Sequence, residues 1–549
     1  MWTRAAPRRR SRSGCPRRRA GARGPRRCSG ARWSRQPPEP ASLVLAVYAA
    51  APPDSPAAPR PYARPLPLPP VHRNEAHPRV APAVDAAGGG AYAVGGVERA
   101  AWNAEAEEDR VQGDGRRLRV IGEWDVAVVG SGAAGISAAV TAARYGARTV
   151  LVERQAYLGG MGTGGMVGVF CGLYTGGPEK RAIPSAFGGD VTDRLAREGA
   201  CGWSDIRRTR VVHYDVGVLK VVYDALATES GVDLLLQTGV TGVLADEGRI
   251  HGLVVDNVEY HGVLLAKQVI DASGDASVVH WTTGRTEKGG AAGETQGATL
   301  VFRMANVDTA RAVAVSRDGF SELLEQANRE GTFNLPRTDG YFFATTHPGE
   351  VNCNMTRVAG LDTTMAAEAT LAEVVARQQV QEYARFLRAR VPGFRDSYLS
   401  FYGSTLGIRE TRRIVGDYVV TEDDLRVARA FDDGVAYAAW PMEIHAATGD
   451  GTVWEWLPDD AWLEIPHRAL LPLGLTNVQA AGRCISTTHE ALGSTRVMGT
   501  CMSMGEAVGV AAAQAARRGL SIRELPMAEL RGELDAYRRV ETDTRRRVG

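Results

Sequence analysis

The chain has 549 residues, enough for two or three domains, and its 44% hydrophobic and 23% charged content is that of an ordinary globular protein. Its formal charge of +2 hides an asymmetry: residues 1–118 hold 21 Lys and Arg against 10 Asp and Glu, which leaves 44 and 53 for the remainder. The part that folds is therefore mildly acidic, which argues against nucleic acid as a partner, and no apolar run approaches the ~20 residues that span a bilayer.

Residues 1–35 carry thirteen Arg and no acidic residue, and residues 36–82 carry fourteen of the 27 prolines. Such a segment buries too little apolar surface to offset its chain entropy, so residues 1–120 are expected to be a disordered Arg/Pro/Ala-rich extension. A basic arm for RNA or anionic lipid would have this composition. So would an unselected extension read from an upstream start codon, and the near absence of Lys beside abundant Arg favours that second origin. The apolar stretch 41–51 has signal-peptide length but follows Pro37, Pro38 and Pro40 rather than a basic leader, so a cytoplasmic location is expected. The seven cysteines, at 15, 28, 171, 201, 353, 484 and 501, contain no C-x-x-C pair and signal neither a zinc site nor an iron–sulfur run.

Regular structure begins near residue 121. Residues 124–130 form a compact apolar strand ending in a glycine turn, 133–145 an Ala-rich helix stopped by Gly146, and 148–153 a second buried strand. This is a βαβ unit with parallel strands. An amphipathic helix at 216–230, with apolar positions 219, 222, 223 and 226, precedes strand-like runs at 232–237, 240–245, 250–255 and 263–270. A long helix follows at 364–390, then a strand at 476–481, a Gly-rich turn, and an Ala-rich helix from Gly505 to Arg517. The fold class expected is α/β: a discontinuous, doubly wound domain at 121–285 and 465–525. An α+β substrate domain is inserted at 286–464, and a tail helix occupies 526–549.

Gly130-Ser-Gly132-Ala-Ala-Gly135 fits G-x-G-x-x-G between a strand and a helix, and Glu153 ends the next strand. That context is what a dinucleotide fingerprint requires. The first glycine makes the turn, the second lets backbone approach a pyrophosphate, and the third packs helix on strand. Phosphates would sit at the positive end of the helix, beside Ala133 and Ala134, and Glu153 would accept from the adenosine ribose. Further glycine-rich points at Gly159, Gly160 and Thr163, at Ser273, Gly274 and Asp275, and at Gly482, Arg483, Arg496, Gly499 and Gly505 suit an extended FAD better than NAD. Val240 joins these expected cofactor contacts.

The stretches Gly407-Ile-Arg-Glu-Thr-Arg-Arg-Ile-Val-Gly-Asp-Tyr418, Trp440-Pro-Met-Glu-Ile-His445 and Ala481-Gly-Arg-Cys-Ile-Ser486, running on to Gly499, resemble the heterodisulfide reductase A-like FAD-dependent oxidoreductases. That group lies within the wider fumarate-reductase and glutathione-reductase-like flavoproteins, and the resemblance runs from about 125 to 519. It implies a flavin ring near 160–165 and 482–507, with a helix starting at Gly505 aimed at the N1/C2 edge of the ring. A positive helix end there would stabilise reduced flavin. The resemblance would also imply an iron–sulfur cluster, which the cysteine spacing does not support; Cys171, Cys484 and Cys501 are expected to be structural thiols.

Hydride transfer to flavin needs an acid/base group and cations for an anionic substrate. His445 is the first candidate, Arg409 and Arg412 could clamp a carboxylate or ketone oxygen, and His489 and Arg496 could face the ring. An Arg-Glu-Arg run is also the pattern of an internal ion-pair network. Trp454-Glu-Trp456-Leu-Pro458 resembles the W-x-W-x-I-P motif of flavin halogenases but is one residue short, and is read as aromatic packing. The function expected is two-electron oxidation or reduction of a small organic substrate through FAD. Electrons would pass to a diffusing acceptor or an electron-acceptor protein. The alternatives are a flavin monooxygenase or halogenase-type enzyme and a FAD-carrying electron-transfer subunit.

Overall fold

The computed structural model describes residues 110–113, 116–446 and 451–548, so most of the expected extension lies outside the described residues. Its last part is strand, however: β1 (Arg116–Val129) begins before the expected boundary, paired antiparallel with Arg110–Gly113 and parallel with a later strand from Arg119 onward. Composition alone marks Arg116, Arg117 and Arg119 as tail; ladder hydrogen bonding overrides it.

From β1 the chain passes through α1 (Ala133–Arg144), β2 (Thr149–Val152) and α2 (Val216–Glu229) to β3 (Asp233–Leu235). These strands lie parallel in the order β3-β2-β1. The meander β4 (Gly239–Asp246) and β5 (Arg249–Asp256) then leads antiparallel into β6 (His261–Asp271), which closes parallel on the free side of β1. Alternation along β1 explains the layering: Val126 and Val128 enter the core under the helices, and Ala127 and Val129 enter the core on the opposite face. Covered on both faces, the strands read as continuous apolar runs.

Beyond β6 an inserted unit is built on a four-stranded antiparallel sheet, Tyr341–Ala344, Val351–Asn354, Phe302–Ala305 and Tyr398–Tyr402 in spatial order. Its core is shared with α3 (Ala366–Arg390), whose buried Ala372, Ala376, Val380, Tyr383 and Leu387 recur at helical spacing. That core runs from Ala298 to Leu406, whereas Val435, Ala436, Ala438, Leu463 and Ile465 pack into the first core. The stretch 286–464 therefore spans both packing units.

β7 (Val478–Ala480) returns the chain to the first sheet, parallel to the C-terminal end of β6. Next comes α4 (Met498–Arg518), then α5 (Met527–Val548). α4 starts seven residues earlier than the expected Gly505, although Val497 offers no side-chain cap. Glycines at 499 and 505 look like breakers in sequence, yet they are what brings α4 against its neighbours. A methyl on Gly505 would sit 2.3 Å from the carbonyl oxygen of Ala134, and one on Gly509 would sit 2.7 Å from that of Ala138. Packing against α1 outweighs glycine's poor helix propensity of about 1 kcal/mol. Among the described residues no helix is long and apolar enough to cross a membrane.

Candidate functional site

The three fingerprint glycines do three different things. Gly130 adopts φ +90°, with its missing Cβ position 2.7 Å from Ala272 O, so it makes the turn from β1 under the β6 end. Gly135 is packed against backbone, its Cβ position only 1.8 Å from Gly130 O. Beside Gly132 the space is open, with nothing within 4 Å of a Cβ. Open room at the N-terminus of α1, next to buried Ala133 and Ala134, is the place where a phosphate would meet the helix end.

Glu153 follows β2 and is 7% exposed; its carboxylate accepts from Ser131 N (2.8 Å), Ser131 Oγ (2.6 Å) and Gln155 N (2.8 Å). Gly159 N donates to Ser131 O at 2.9 Å, and a methyl on Gly160 would lie 3.0 Å from Gly132 Cα, so the 159–163 loop folds onto the fingerprint. Thr163 Oγ1 fixes that loop through Leu158 O at 2.5 Å. Val240 lies on β4, two residues after Thr238, whose N–H donates to Glu153 O at 3.0 Å. At the same end of the sheet, after β6, Ser273 Oγ donates to Asp271 Oδ1 (2.6 Å), and Asp275 accepts from Arg483 Nη2 (2.8 Å) and Thr411 Oγ1 (2.8 Å). Gly274 runs beneath the Arg483 guanidinium, and Gly482 stands against Ala134 of α1. Gly499 N donates to Cys171 O at 2.9 Å, which joins the start of α4 to the segment after the glycine loop.

A second centre forms around His445. Met442–His445 pairs antiparallel with Thr452–Glu455, and the backbone of Glu443 closes on Gly493, whose Cβ position is 2.9 Å from Glu443 N. His445 is 2% exposed; its Nε2 lies 3.1 Å from Glu443 Oε1, and its Nδ1 lies 3.1 Å from Thr452 Oγ1. Thr452 Oγ1 donates in turn to Asp339 Oδ2. Trp440 Nε1 donates to Glu443 Oε2 at 3.0 Å, and Arg496 Nη2 donates to Glu443 O at 3.0 Å. Arg409 donates from Nη1 to Gly297 O (2.7 Å) and Thr299 Oγ1 (2.8 Å), while Arg337 Nε pairs with Asp339 Oδ1 at 2.6 Å.

Burial sets the electrostatics here. It pulls Arg409 well below the ordinary guanidinium range, helped by repulsion from Arg337 and Arg496. Burial, then Arg409, also pulls His445 well below its usual value, so the ring is neutral at neutral pH. For Glu443 burial acts upward, yet the His445 hydrogen bond and the charges of Arg496 and Arg409 hold it far below the usual carboxylate range. An ionised carboxylate facing a neutral imidazole at Nε2 accepts that N–H and leaves Nδ1 as the basic nitrogen, which competes with the Asp339 carboxylate for the single proton of the Thr452 hydroxyl.

Arg412 does not join Arg409 in a clamp: its Nε donates to Asp275 O at 2.9 Å, at the turn that Arg483 also braces. Arg413 is the partner of buried Glu410, and His489 Nδ1 lies 2.8 Å from the other carboxylate oxygen of Glu410, which raises the imidazolium. The 407–413 run thus contains an ion-pair network, and two of its residues reach the His445 centre: Arg409, and Glu410, whose Oε2 accepts from Gln296 N at 3.0 Å. Gly505, expected at the cofactor, is instead a contact of α4 with α1 because the helix begins at Met498. Trp440 meets Trp454 edge-on (centroids 6.0 Å apart) and Trp454 stacks on Trp456 (6.3 Å), with Arg207 over Trp454 and Arg208 over Trp456, as aromatic packing. Cys484 and Cys501 are buried thiols, and among the described residues no group of three or more His, Cys, Asp or Glu side chains could hold a metal.

Glu443, Thr452, Asp339, Arg337 and Gln296 were not singled out from sequence. Glu443 carried a signal, since it precedes His445 by two in a strand and so shares its face. The others come from segments far apart in the chain.

A family model described as FAD dependent oxidoreductase matches residues 125–534. Thiamine thiazole synthase of Aeropyrum pernix is 30% identical over 166 residues, which cover 28% of this chain and 56% of that relative's length. Among solved structures, a geranylgeranyl bacteriochlorophyll reductase-like protein from Thermoplasma acidophilum aligns over 75% of this chain and 91% of its own at 14% identity, with a TM-score of 0.37. The flavin-dependent brominase Bmp2 aligns over 75% and 84% at 12% identity, with a TM-score of 0.40.

Proposed function

This chain belongs to the FAD dependent oxidoreductase family, and on that premise we propose that it moves two electrons, as hydride, between FAD and a small organic substrate, with His445 as the acid/base group. FAD, when bound, supplies the electron carrier. Gly130, Gly132 and Gly135 with the start of α1 would hold its pyrophosphate, because the open space beside Gly132 fits a phosphate and nothing else in the loop requires it. Glu153 would exchange its Ser131 hydroxyl bond for the ribose hydroxyls. Gly159, Gly160 and Thr163, the Ser273–Asp275 turn braced by Arg483, and the α4 start at Gly499 would line the rest of the cofactor, with Val240 near its adenosine end.

The observation that carries the proposal is the pinning of His445 between Glu443 and Thr452, in a buried centre joined through Arg496 to the residues just before α4. Glu443 fixes the tautomer, and Nδ1 takes or returns the substrate proton, directly or through the Thr452 hydroxyl. Burial, with the charge of Arg409, keeps the ring neutral and ready to accept. The similarity of 407–418, 440–445 and 481–499 to the heterodisulfide reductase A-like group supports that branch of the family. A small diffusing acceptor or an acceptor protein would complete the electron cycle.

The test is anaerobic. Holoenzyme, oxidised or photoreduced, is screened with small organic compounds for bleaching or recovery of the flavin band. Bleaching without oxygen supports hydride transfer, whereas turnover that requires dioxygen and yields an oxygenated or halogenated product contradicts it.

A further inference from the structure

We infer that the buried pair of Glu506 and Arg538 is a positioning device for the cofactor, which fixes α4 along its own axis against the segment that follows the glycine loop. On the reading proposed above, on which this rests, FAD lies between that loop and the α4 start at Gly499. At the cofactor end Gly499 N donates to Cys171 O at 2.9 Å. An attachment at one end of a helix leaves it a pivot; a second fixes its axis. Glu506 supplies the second, seven residues further along α4 and so about 10 Å away. Its Oε1 accepts from Ser185 Oγ at 2.8 Å and Phe187 N at 2.7 Å, at the start of the helix Ala186–Arg197. Its Oε2 accepts from Arg538 Nε of α5 at 2.9 Å, and Arg538 Nη2 reaches Val435 O at 3.0 Å. The Glu506 side chain has no exposed surface, and that of Arg538 is 7% exposed.

A buried ion pair gains little over apolar side chains of the same shape, and its best-attested use is to fix registry. Neighbouring turns of α4 offer no substitute for Glu506. A slip of one turn, about 6 Å, would bring buried Met502 or Val510 to Arg538 and to the donors at Ser185 and Phe187. The contact of α4 with α1 discriminates far less, being built of small residues at four-residue spacing. Gly505 lies over Ala134 and Ala138, and Gly509 over Ala138 and Ala142. Ser137 Oγ bonds there to Met502 O, a backbone carbonyl of a kind that every turn presents. A sideways shift of α4, as from a methyl at Gly505, leaves Glu506 on its partners and the axial position unchanged.

Full-length protein is compared as wild type, as Glu506→Gln, and as Glu506→Leu with Arg538→Met, a double variant that fills the place with apolar volume and leaves no unpaired charge. The FAD dissociation constant, the visible circular dichroism of bound flavin and the melting temperature of the flavin-free protein are measured on each. The double variant should melt close to flavin-free wild type yet bind FAD about tenfold or more weakly, the scale of a displaced binding group, with altered visible dichroism. Glu506→Gln keeps the acceptor for Ser185 and Phe187 and loses the charge beside Arg538, so it should weaken FAD severalfold. Wild-type affinity and dichroism in either folded variant would overturn the inference, because a pair that only stabilises the fold leaves flavin binding per folded molecule untouched. Should both fail to fold, Arg538→Lys, which keeps the charge and gives up the bond to Val435 O, decides by the same criterion, with a severalfold loss expected. Wild-type FAD binding without anaerobic hydride transfer would sink the His445 reading alone. A wild-type protein that takes up no FAD would sink the cofactor lining and the positioning role with it.

Discussion

The imidazole Nε2 of His445 lies 3.1 Å from Oε1 of Glu443, with the His445 side chain 2% and the Glu443 side chain 18% exposed. A carboxylate so placed is what tolerates Arg409 and Arg496 beside a neutral ring. Glu443→Gln keeps the shape and removes the charge, leaving buried cations uncompensated. Removing one partner of a buried pair typically costs about 3–5 kcal/mol. Urea melts of the two proteins should show a loss on that scale; a loss below about 1 kcal/mol would mean that the arginines are not held by Glu443.

Gly132 and Gly135 should fail in different ways. Gly132→Val points into open space, so the protein should fold with the circular dichroism and melting temperature of the flavin-free wild type, yet bind little FAD. Gly135→Ala drives a methyl into the carbonyl of Gly130 and should cost stability, about 1–3 kcal/mol for overpacking, before flavin is considered. Flavin content and melting temperature, measured on both variants, check this. A yellow Gly132→Val protein at full occupancy would disprove the assignment of the fingerprint to FAD.

Gly505→Ala tests the corrected place of that residue. Its methyl would meet Ala134 O at 2.3 Å, so α4 must lift from α1, again at about 1–3 kcal/mol. Flavin affinity of the fraction that stays folded should be close to normal. A stable variant with selectively weakened flavin would return Gly505 to the cofactor.

Much of this arrangement was legible from the sequence. The parallel strands announce themselves because both faces are buried: Val126 and Val128 serve one core and Ala127 and Val129 the other, giving an unbroken apolar run. The fingerprint was legible because its glycines obey backbone geometry that is local. The start of α4 was hidden because Gly499 and Gly505 are selected for close contacts that appear only after folding. The His445 centre was half visible for the same reason. His445, Arg409 and Arg496 could be named as chemical types, whereas Gln296, Arg337, Asp339 and Thr452 reach them from segments that spacing cannot connect, and Arg412 points elsewhere.

Acid should unmask Asp339. Burial alone would raise its carboxyl, but Arg337, Thr452 and Arg357 draw it from the ordinary 3.8 down to about 2. A carboxylate depressed on folding stabilises the native state above its unfolded value and loses that contribution as pH falls through the folded one. Asp339→Asn should therefore be less stable than wild type at pH 5 and above, with the gap closing between about pH 4 and pH 2. Denaturation midpoints across that range read the effect; a gap independent of pH would mean that the charge of Asp339 is not what stabilises the fold.

The most direct test compares the rate of anaerobic flavin bleaching with flavin occupancy in wild type and His445→Ala, using the small organic compound that best reduces the wild-type enzyme. His445→Ala should bind a full complement of FAD and bleach about 10²-fold more slowly or worse, the scale of a lost general acid or base. Bleaching at the wild-type rate, or loss of FAD in step with loss of rate, would contradict the assignment of proton transfer to His445.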